Sequence, residues 1–339
     1  MEQTTTQQPS LTLFGKRYTV KQLIYPTFLV LLYSLWFGYM FSANAWHLFQ
    51  EYWTVSLTMT LGSFVAGATA EGGAAIAFPV FTKVLHIQSG DARTFGLMIQ
   101  AIGMTAAGLV IVAQGIRILP RVILWASFGG IFGQIIGTFW VALPNPFPKI
   151  LFTFVAGIFA VALILSRWVI QWEPRKTIGK WTPGRQAVFF MAGVFGGIFA
   201  ANTGSGIDML TFIILTLAFG IDEKISTPTT VIIMALNSIV GFALRGLVVQ
   251  DIGIAWNYWL VAIPIVVLGA PFGAYAASRL NRDSIIKFLI SLIALELVTT
   301  LWLVPFNQAA IIFAATSVAI CIVLFYFMLG YRKRVVLVE

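Results

Sequence analysis

The sequence predicts an all-α integral membrane protein, a polytopic helical bundle of about 8–10 membrane segments. It predicts two inverted repeats, each holding a discontinuous or re-entrant helix. Three observations lead there. The first is charge: of 339 residues, 59% are hydrophobic and only 10% are charged, with a mean hydropathy of +0.91. No soluble domain of this length is so poor in charge. The second is the length of the stretches free of Asp, Glu, Lys and Arg: Thr94–Ile116, Val122–Pro148, Ile225–Leu244, Ile252–Ser278 and Leu297–Tyr331. Roughly 20 apolar residues suffice for a helix to cross the hydrocarbon. The third is a duplicated pattern in which glycines interrupt an apolar run.

The net charge of +9 does not indicate a nucleic-acid partner, because the basic residues sit in short loops between apolar runs. That distribution belongs to membrane orientation, so the expected surroundings are a lipid bilayer. The apolar run 23–46 is too long for a signal-peptide core and lacks a small-residue cleavage site, so it reads as a retained first helix. Before it, residues 1–22 read as a cytoplasmic tail opening on the polar, disordered segment MEQTTTQQPS. A single cysteine, Cys321, and two histidines, His47 and His86, offer no internal disulfide, no metal cluster and no Ser/His or Cys/His constellation. No cofactor is expected, and an embedded enzyme is disfavoured.

Compared with itself, the chain repeats once. GSFVAGATAEGGAAIAFPVF starts at Gly62 and GVFGGIFAANTGSGIDMLTF at Gly193; Gly72-Gly73-Ala74 aligns with Gly204-Ser205-Gly206. Each copy reads as a small-residue-rich helix, a glycine cluster, a second apolar run, a charged loop and further spans. The expected organisation is repeat 1 over 53–172, a basic cytoplasmic linker over 173–185, repeat 2 over 186–305, a final span over 308–330 and a cytoplasmic tail over 331–339. Loop charge decides how the glycine-bearing runs cross. If each spans fully, the 21 Lys and Arg divide 13 inside to 8 outside; if each enters, breaks and returns, the division becomes 17 to 4. The second arrangement obeys the positive-inside rule far better and makes the copies inverted, a known transporter design.

The glycine clusters GGAAIAFPVF (Gly72–Phe81) and GSGIDMLTF (Gly204–Phe212), one per half, resemble those of the sulfite exporter TauE/SafE family over roughly Thr54–Thr300. The chain departs from the family pattern at Glu71, ahead of the first cluster, and at Thr211, where a second proline is expected. The resemblance implies export of a small sulfur-containing anion, sulfite or a sulfonate such as sulfoacetate, across the bacterial inner membrane, with both termini cytoplasmic. A transporter of another small anion such as a carboxylate, or a scaffold without transport, are the competing readings. Monomer and homodimer are both left open.

The residues themselves point to the same chemistry. A helix that restarts at membrane depth exposes unpaired N–H groups and the positive end of its dipole, and glycines let an oxyanion approach them. Two facing breaks would cradle the anion between Gly72, Gly73, Ala74 and Thr203, Gly204, Ser205, Gly206. Asn202, with Gln100 and Asn237 on the following spans, would add amides. Gly129, Gly133, Gly137, Gly269 and Gly273 read as helix-packing positions. Buried carboxylates in apolar runs tend to be functional; Glu71 and Asp208, flanking the clusters, are candidates for proton coupling, with helix capping an equal alternative for Asp208. Glu296 is expected to pair with another helix, Arg245 to snorkel to the headgroups, and Lys83 and Arg93 to be solvated loop charges.

Overall fold

A computed structural model describes residues 10–13, 16–69, 72–169 and 173–338. Thirteen helices follow a short antiparallel hairpin of β1 (Ser10–Leu13) and β2 (Lys16–Thr19). The hairpin occupies part of the expected N-terminal tail, whose residues 1–9 lie outside the described ones. The helices are α1 (Val20–Ser42), α2 (Leu48–Glu51), α3 (Trp53–Ala68), α4 (Ala74–Pro79), α5 (Ser89–Ala113), α6 (Pro120–Phe139), α7 (Phe147–Ile164), α8 (Pro183–Thr203), α9 (Ile207–Ile213), α10 (Glu223–Ala243), α11 (Ala255–Arg279), α12 (Arg282–Leu303) and α13 (Gln308–Val338). The last continues through Gly330 and the basic run that was expected to be tail.

Among the described residues, eight helices are long and apolar enough to cross a membrane. Large apolar side chains such as Leu35, Leu61, Leu247 and Trp302 point outward. In water such a surface would aggregate; in a bilayer lipid covers it.

Two pairs of helices pack at backbone contact, and the pairs correspond. In the first, α6 lies along α8: a Cβ on Gly129 would come within 2.0 Å of the Phe190 carbonyl oxygen, and one on Gly193 within 2.0 Å of that of Ala126. In the second, α11 lies along α3: a Cβ on Gly273 would come within 2.0 Å of the Phe64 carbonyl, and one on Gly67 within 1.8 Å of that of Ala270. With no hydrophobic force between helices in lipid, close approach through small residues is what holds such pairs together.

Pro264 and Pro271 lie inside α11 and cannot donate to the carbonyls of Leu260 and Val267, one turn earlier. α1 supplies the missing donors: Trp36 Nε1 to Leu260 O at 2.8 Å and Tyr25 Oη to Val267 O at 2.9 Å. α1 is thereby fastened to α11.

On either side of each glycine cluster two helices lie against each other. Gly73, at the start of α4, lies against Gly62 of α3, and Ile207, at the start of α9, lies against Gly196 of α8, the same number of residues earlier in both cases. The second helix of each pair ends in a π turn, Val80–Val84 and Ile214–Ala218. The two ends of each unit meet at one side of the bundle. Tyr52, before α3, and Phe81, after α4, both contact the Tyr258 ring. Arg175, before α8, bonds through its backbone to Gly220 and Asp222, after α9. The sides differ: Tyr258 begins α11 beside the start of α5, whereas Gly220–Asp222 lead into α10, whose Thr229 caps the loop at the end of α5.

The end of the first unit is anchored by a buried ion pair. Lys83 Nζ lies 2.9 Å from Glu296 Oε1, with both side chains almost wholly buried, and reaches Thr300 Oγ1 at 2.7 Å; Thr153 of α7 donates to the same carboxylate at 2.8 Å. Glu296 pairs with another element as expected. Lys83 is no solvated loop charge, because the π turn carries it into the gap between α7 and α12, where a carboxylate compensates it.

Two predictions follow from this packing. Gly193→Ala, pressing on the Ala126 carbonyl, lowers stability by about 1–3 kcal/mol, whereas Gly184→Ala, which meets nothing within 4 Å, does not; thermal unfolding in detergent measures both. Lys83→Met strands a buried carboxylate and costs about 3–5 kcal/mol, and Lys83→Met with Glu296→Gln recovers part of that loss in the same assay.

Candidate functional site

The site is built where the two glycine breaks touch. Gly72 (φ 65°) and Gly204 (φ 84°) hold left-handed conformations that L side chains rarely adopt: Gly204 caps the end of α8, and Gly72 stands two residues before α4. A Cβ on Gly72 would lie 2.8 Å from Asp208 Oδ2, 2.9 Å from Gln100 Oε1 and 3.2 Å from Ser205 Oγ. The first break therefore abuts the second through Asp208 and Ser205, with Gln100 of α5 between them. Gly96 of α5 makes room for this: a Cβ there would meet Gly204 Cα at 3.3 Å.

Asp208 is 1% exposed and folds back on the start of its own helix. Its Oδ1 accepts from the amides of Gly206 and Met209, both at 3.0 Å, and lies 3.4 Å from Ser205 Oγ. Asp208 stands in the first turn of α9, whose N-cap is Gly206, and it places a carboxylate of the protein on donors that a bare break would offer to a ligand. Gln100 Nε2 donates to the carbonyls of Gly204 (2.7 Å) and Gly96 (3.1 Å), tying α5 to the second break. Thr203 Oγ1 turns to the carbonyls of Phe199 (3.0 Å) and Ser205. Beside this junction is a cavity of about 20 Å³, lined among others by Gly73, Ala77, Gln100 and Thr203, with room for about one water molecule.

The other expected site residues separate from this group. Asn202 spends its amide on backbone: Oδ1 accepts from Leu143 N at 2.7 Å, and Nδ2 donates to Val141 O at 2.8 Å and Ile198 O at 2.9 Å. It pins the connection after α6 instead of facing the junction, because it follows the α8 helix round to the side where α6 lies. Asn237 is buried one step away, its Oδ1 accepting from Gln134 Nε2 at 2.7 Å, close to Ile207 behind Gly130. Ala74 begins α4, and Glu71 lies outside the described residues. Gln134 was missed by the sequence reading, although a lone amide in the charge-free run Val122–Pro148 is the same signal that singled out Gln100 and Asn237.

At the side of the bundle where α5 starts and α10 ends, Arg245 and Arg93 converge on Asp251. Arg245 Nη1 bonds Asp251 Oδ2, and Arg93 Nη2 lies 3.9 Å from the same oxygen. Arg245 is 5% exposed and its Nη2 reaches the Ala201 carbonyl at 3.5 Å, just before the second break. It does not snorkel outward, since Asp251 supplies its counter-charge within the protein.

Among the described residues no group of three or more His, Cys, Asp or Glu gathers in the way a metal ion needs. Compared with known proteins, the chain matches no curated protein and no solved structure. The family model described as "Sulfite exporter TauE/SafE" matches residues 55–300, which include both breaks, Gln100, Asp208 and every helix from α5 to α11. A multi-pass membrane protein whose duplicated breaks lie within that match, the chain belongs to the TauE/SafE sulfite exporter family.

Proposed function

We propose that the protein is a secondary transporter that exports a small sulfur-containing anion, sulfite or a sulfonate such as sulfoacetate, across the bacterial inner membrane by alternating access. The observation that carries this reading is the junction of the two breaks. Gly72, Gln100, Ser205 and Asp208 come together in the middle of the chain's family match, at a point where both helices are interrupted. Interrupted helices meeting inside a bundle are how secondary transporters bring main-chain polar groups to a substrate.

In this reading the repeats are inverted and the broken units are re-entrant. Support comes from the opposite sides at which their ends meet, at Tyr258 for the first and at Arg175 and Gly220 for the second. α8 is long enough to cross, but the return arm brings the chain back to the side from which it came. The side holding Arg175, Arg279 and Arg332 is then the cytoplasm by the positive-inside rule, with both termini there. Arg245 and Arg93 stand at the opposite, periplasmic mouth, where their charge favours anions.

Alternating access has a physical motive in the junction's size. A cavity with room for about one water does not admit a sulfur oxyanion, so the walls must separate on one side at a time. Direction follows from the membrane potential. With the cytoplasm negative, each net negative charge leaving gains about 2.3 kcal/mol per 100 mV, and a dianion such as sulfoacetate still carries one out when a monovalent cation accompanies it.

Counterflow in proteoliposomes tests the reading. Labelled sulfite or sulfoacetate exchanges against the same unlabelled anion inside, with a carboxylate panel as comparison. Exchange restricted to carboxylates would replace the substrate class, and no anion flux at all would overturn transport. Gly72→Leu and Ser205→Leu, which put side chains into the junction, abolish exchange while protein remains in the membrane fraction; unimpaired exchange in both would move the site elsewhere.

A further inference from the structure

The two breaks confront each other with acceptors. Asp208 Oδ1 is fully engaged by the amides of Gly206 and Met209. Its other oxygen, Oδ2, is buried and has no hydrogen-bond partner among the described residues, and the same holds for Gln100 Oε1. The side-chain amide of Gln100 cannot be turned round to relieve this, because its nitrogen already donates to the carbonyls of Gly204 and Gly96. Turning it would set carbonyl against carbonyl. Both free oxygens lie against Gly72, each within 3 Å of where its Cβ would be, and so stand within about 6 Å of one another. Asp208 and Gln100 are 1% and 3% exposed. Two buried acceptors turned to one small region, one of them carrying a charge, require a positive charge or a proton there.

We propose that Asp208 Oδ2 and Gln100 Oε1 bind one monovalent cation, a proton or Na⁺, that crosses the membrane together with the anion. This rests on the transporter reading above and gives it a coupling partner. The need is electrostatic. An anion about 5 Å from an uncompensated carboxylate, at an effective dielectric constant of about 20, binds roughly a hundredfold or more weaker than beside a neutral group. A cation between Oδ2 and Oε1 removes that repulsion, so anion and cation load as a pair. Other charges do not do this work. Around the junction, Arg93 of α5 and Arg245, in the π turn that follows α10, are turned to Asp251. Asp91 of α5 lies two residues before Arg93, and Arg185, Glu223 and Lys224 begin α8 and α10, at the end of the bundle away from the break. Glu71, next to Gly72, lies outside the described residues. The bonds to the start of α9 use only Oδ1, leaving Oδ2 surplus to the needs of the helix terminus.

The test uses the full chain in proteoliposomes with sulfoacetate, whose charge is constant above about pH 6, and with the membrane potential clamped. A pH dye inside the vesicles reports proton movement, and Na⁺ is exchanged for a bulky organic cation in parallel. The proposal expects sulfoacetate efflux either to carry protons and change at least tenfold across two pH units, or to fall at least tenfold without Na⁺; the two arms identify the cation. Asp208→Asn sets an amide donor in the cation's place, so flux drops at least tenfold and what remains responds to neither pH nor Na⁺. Wild-type protein that exchanges sulfoacetate with no dependence on either cation would overturn the proposal while leaving the transporter reading intact. So would an Asp208→Asn variant that keeps the wild-type dependence. No exchange of any anion by wild-type protein would remove both. If the variant does not insert, the dye measurement on wild-type protein still decides.

Discussion

Every peptide N–H and C=O that lies at membrane depth must find a partner within the protein, because hydrocarbon offers none. Regular helices meet that demand internally; this chain abandons regular helix at a few places, and at several of them a particular side chain meets it. In α11, two prolines release the carbonyls of Leu260 and Val267, and Trp36 and Tyr25 of α1 take them up. After α8, the amides of Gly206 and Met209 are taken by Asp208, and the carbonyl of Gly204 by Gln100. After α6, the irregular connection is held by Asn202. Three of the buried polar residues of the bundle, Gln100, Asn202 and Asp208, serve as such repairs.

The repairs at the second break leave a residue of unmet polarity. A carboxylate has two oxygens, and the capped helix start uses one. A carboxamide has a nitrogen and an oxygen, and the carbonyls of Gly96 and Gly204 use the nitrogen. What is left over, Asp208 Oδ2 and Gln100 Oε1, faces Gly72. Unmet polarity of this kind is costly in a stable protein and is retained where a mobile species completes it. It is this leftover polarity that the proposed monovalent cation would complete.

Bringing the breaks into contact depends on small residues at a distance from them. α6 and α8 touch backbone to backbone through Gly129, Gly133 and Gly193, and α3 and α11 through Gly67 and Gly273. Each pair joins a helix of the first half of the chain to one of the second. The outer layer of α7 and α12 is held differently, by the Lys83–Glu296 pair and the hydroxyls of Thr153 and Thr300. An ion pair of that kind is strong only while both partners stay buried, which makes the end of the first return arm dependent on the position of α12.

The amino-acid sequence by itself determined that this is a multi-pass helical membrane protein with two interrupted helices, because hydropathy, charge placement and glycine clusters act locally and need no partner. It singled out Gln100, Ser205 and Asp208 on the same local grounds, as polar groups in apolar runs. Which of those polar groups face one another was decided only by tertiary structure. Asn202 and Gln100 are the same chemistry in similar surroundings, yet one turns to the Val141–Leu143 backbone and the other to the junction, since the direction of a side chain depends on its angle round the helix and on what packs there. Lys83 and Arg245, which local context reads as surface charge, are drawn inward by Glu296 and Asp251; Lys83's partner lies far away in the sequence and Arg245's just beyond its own helix. Arg93 shares Asp251 with Arg245, and no local pattern announces a partner that becomes a neighbour only when the bundle closes.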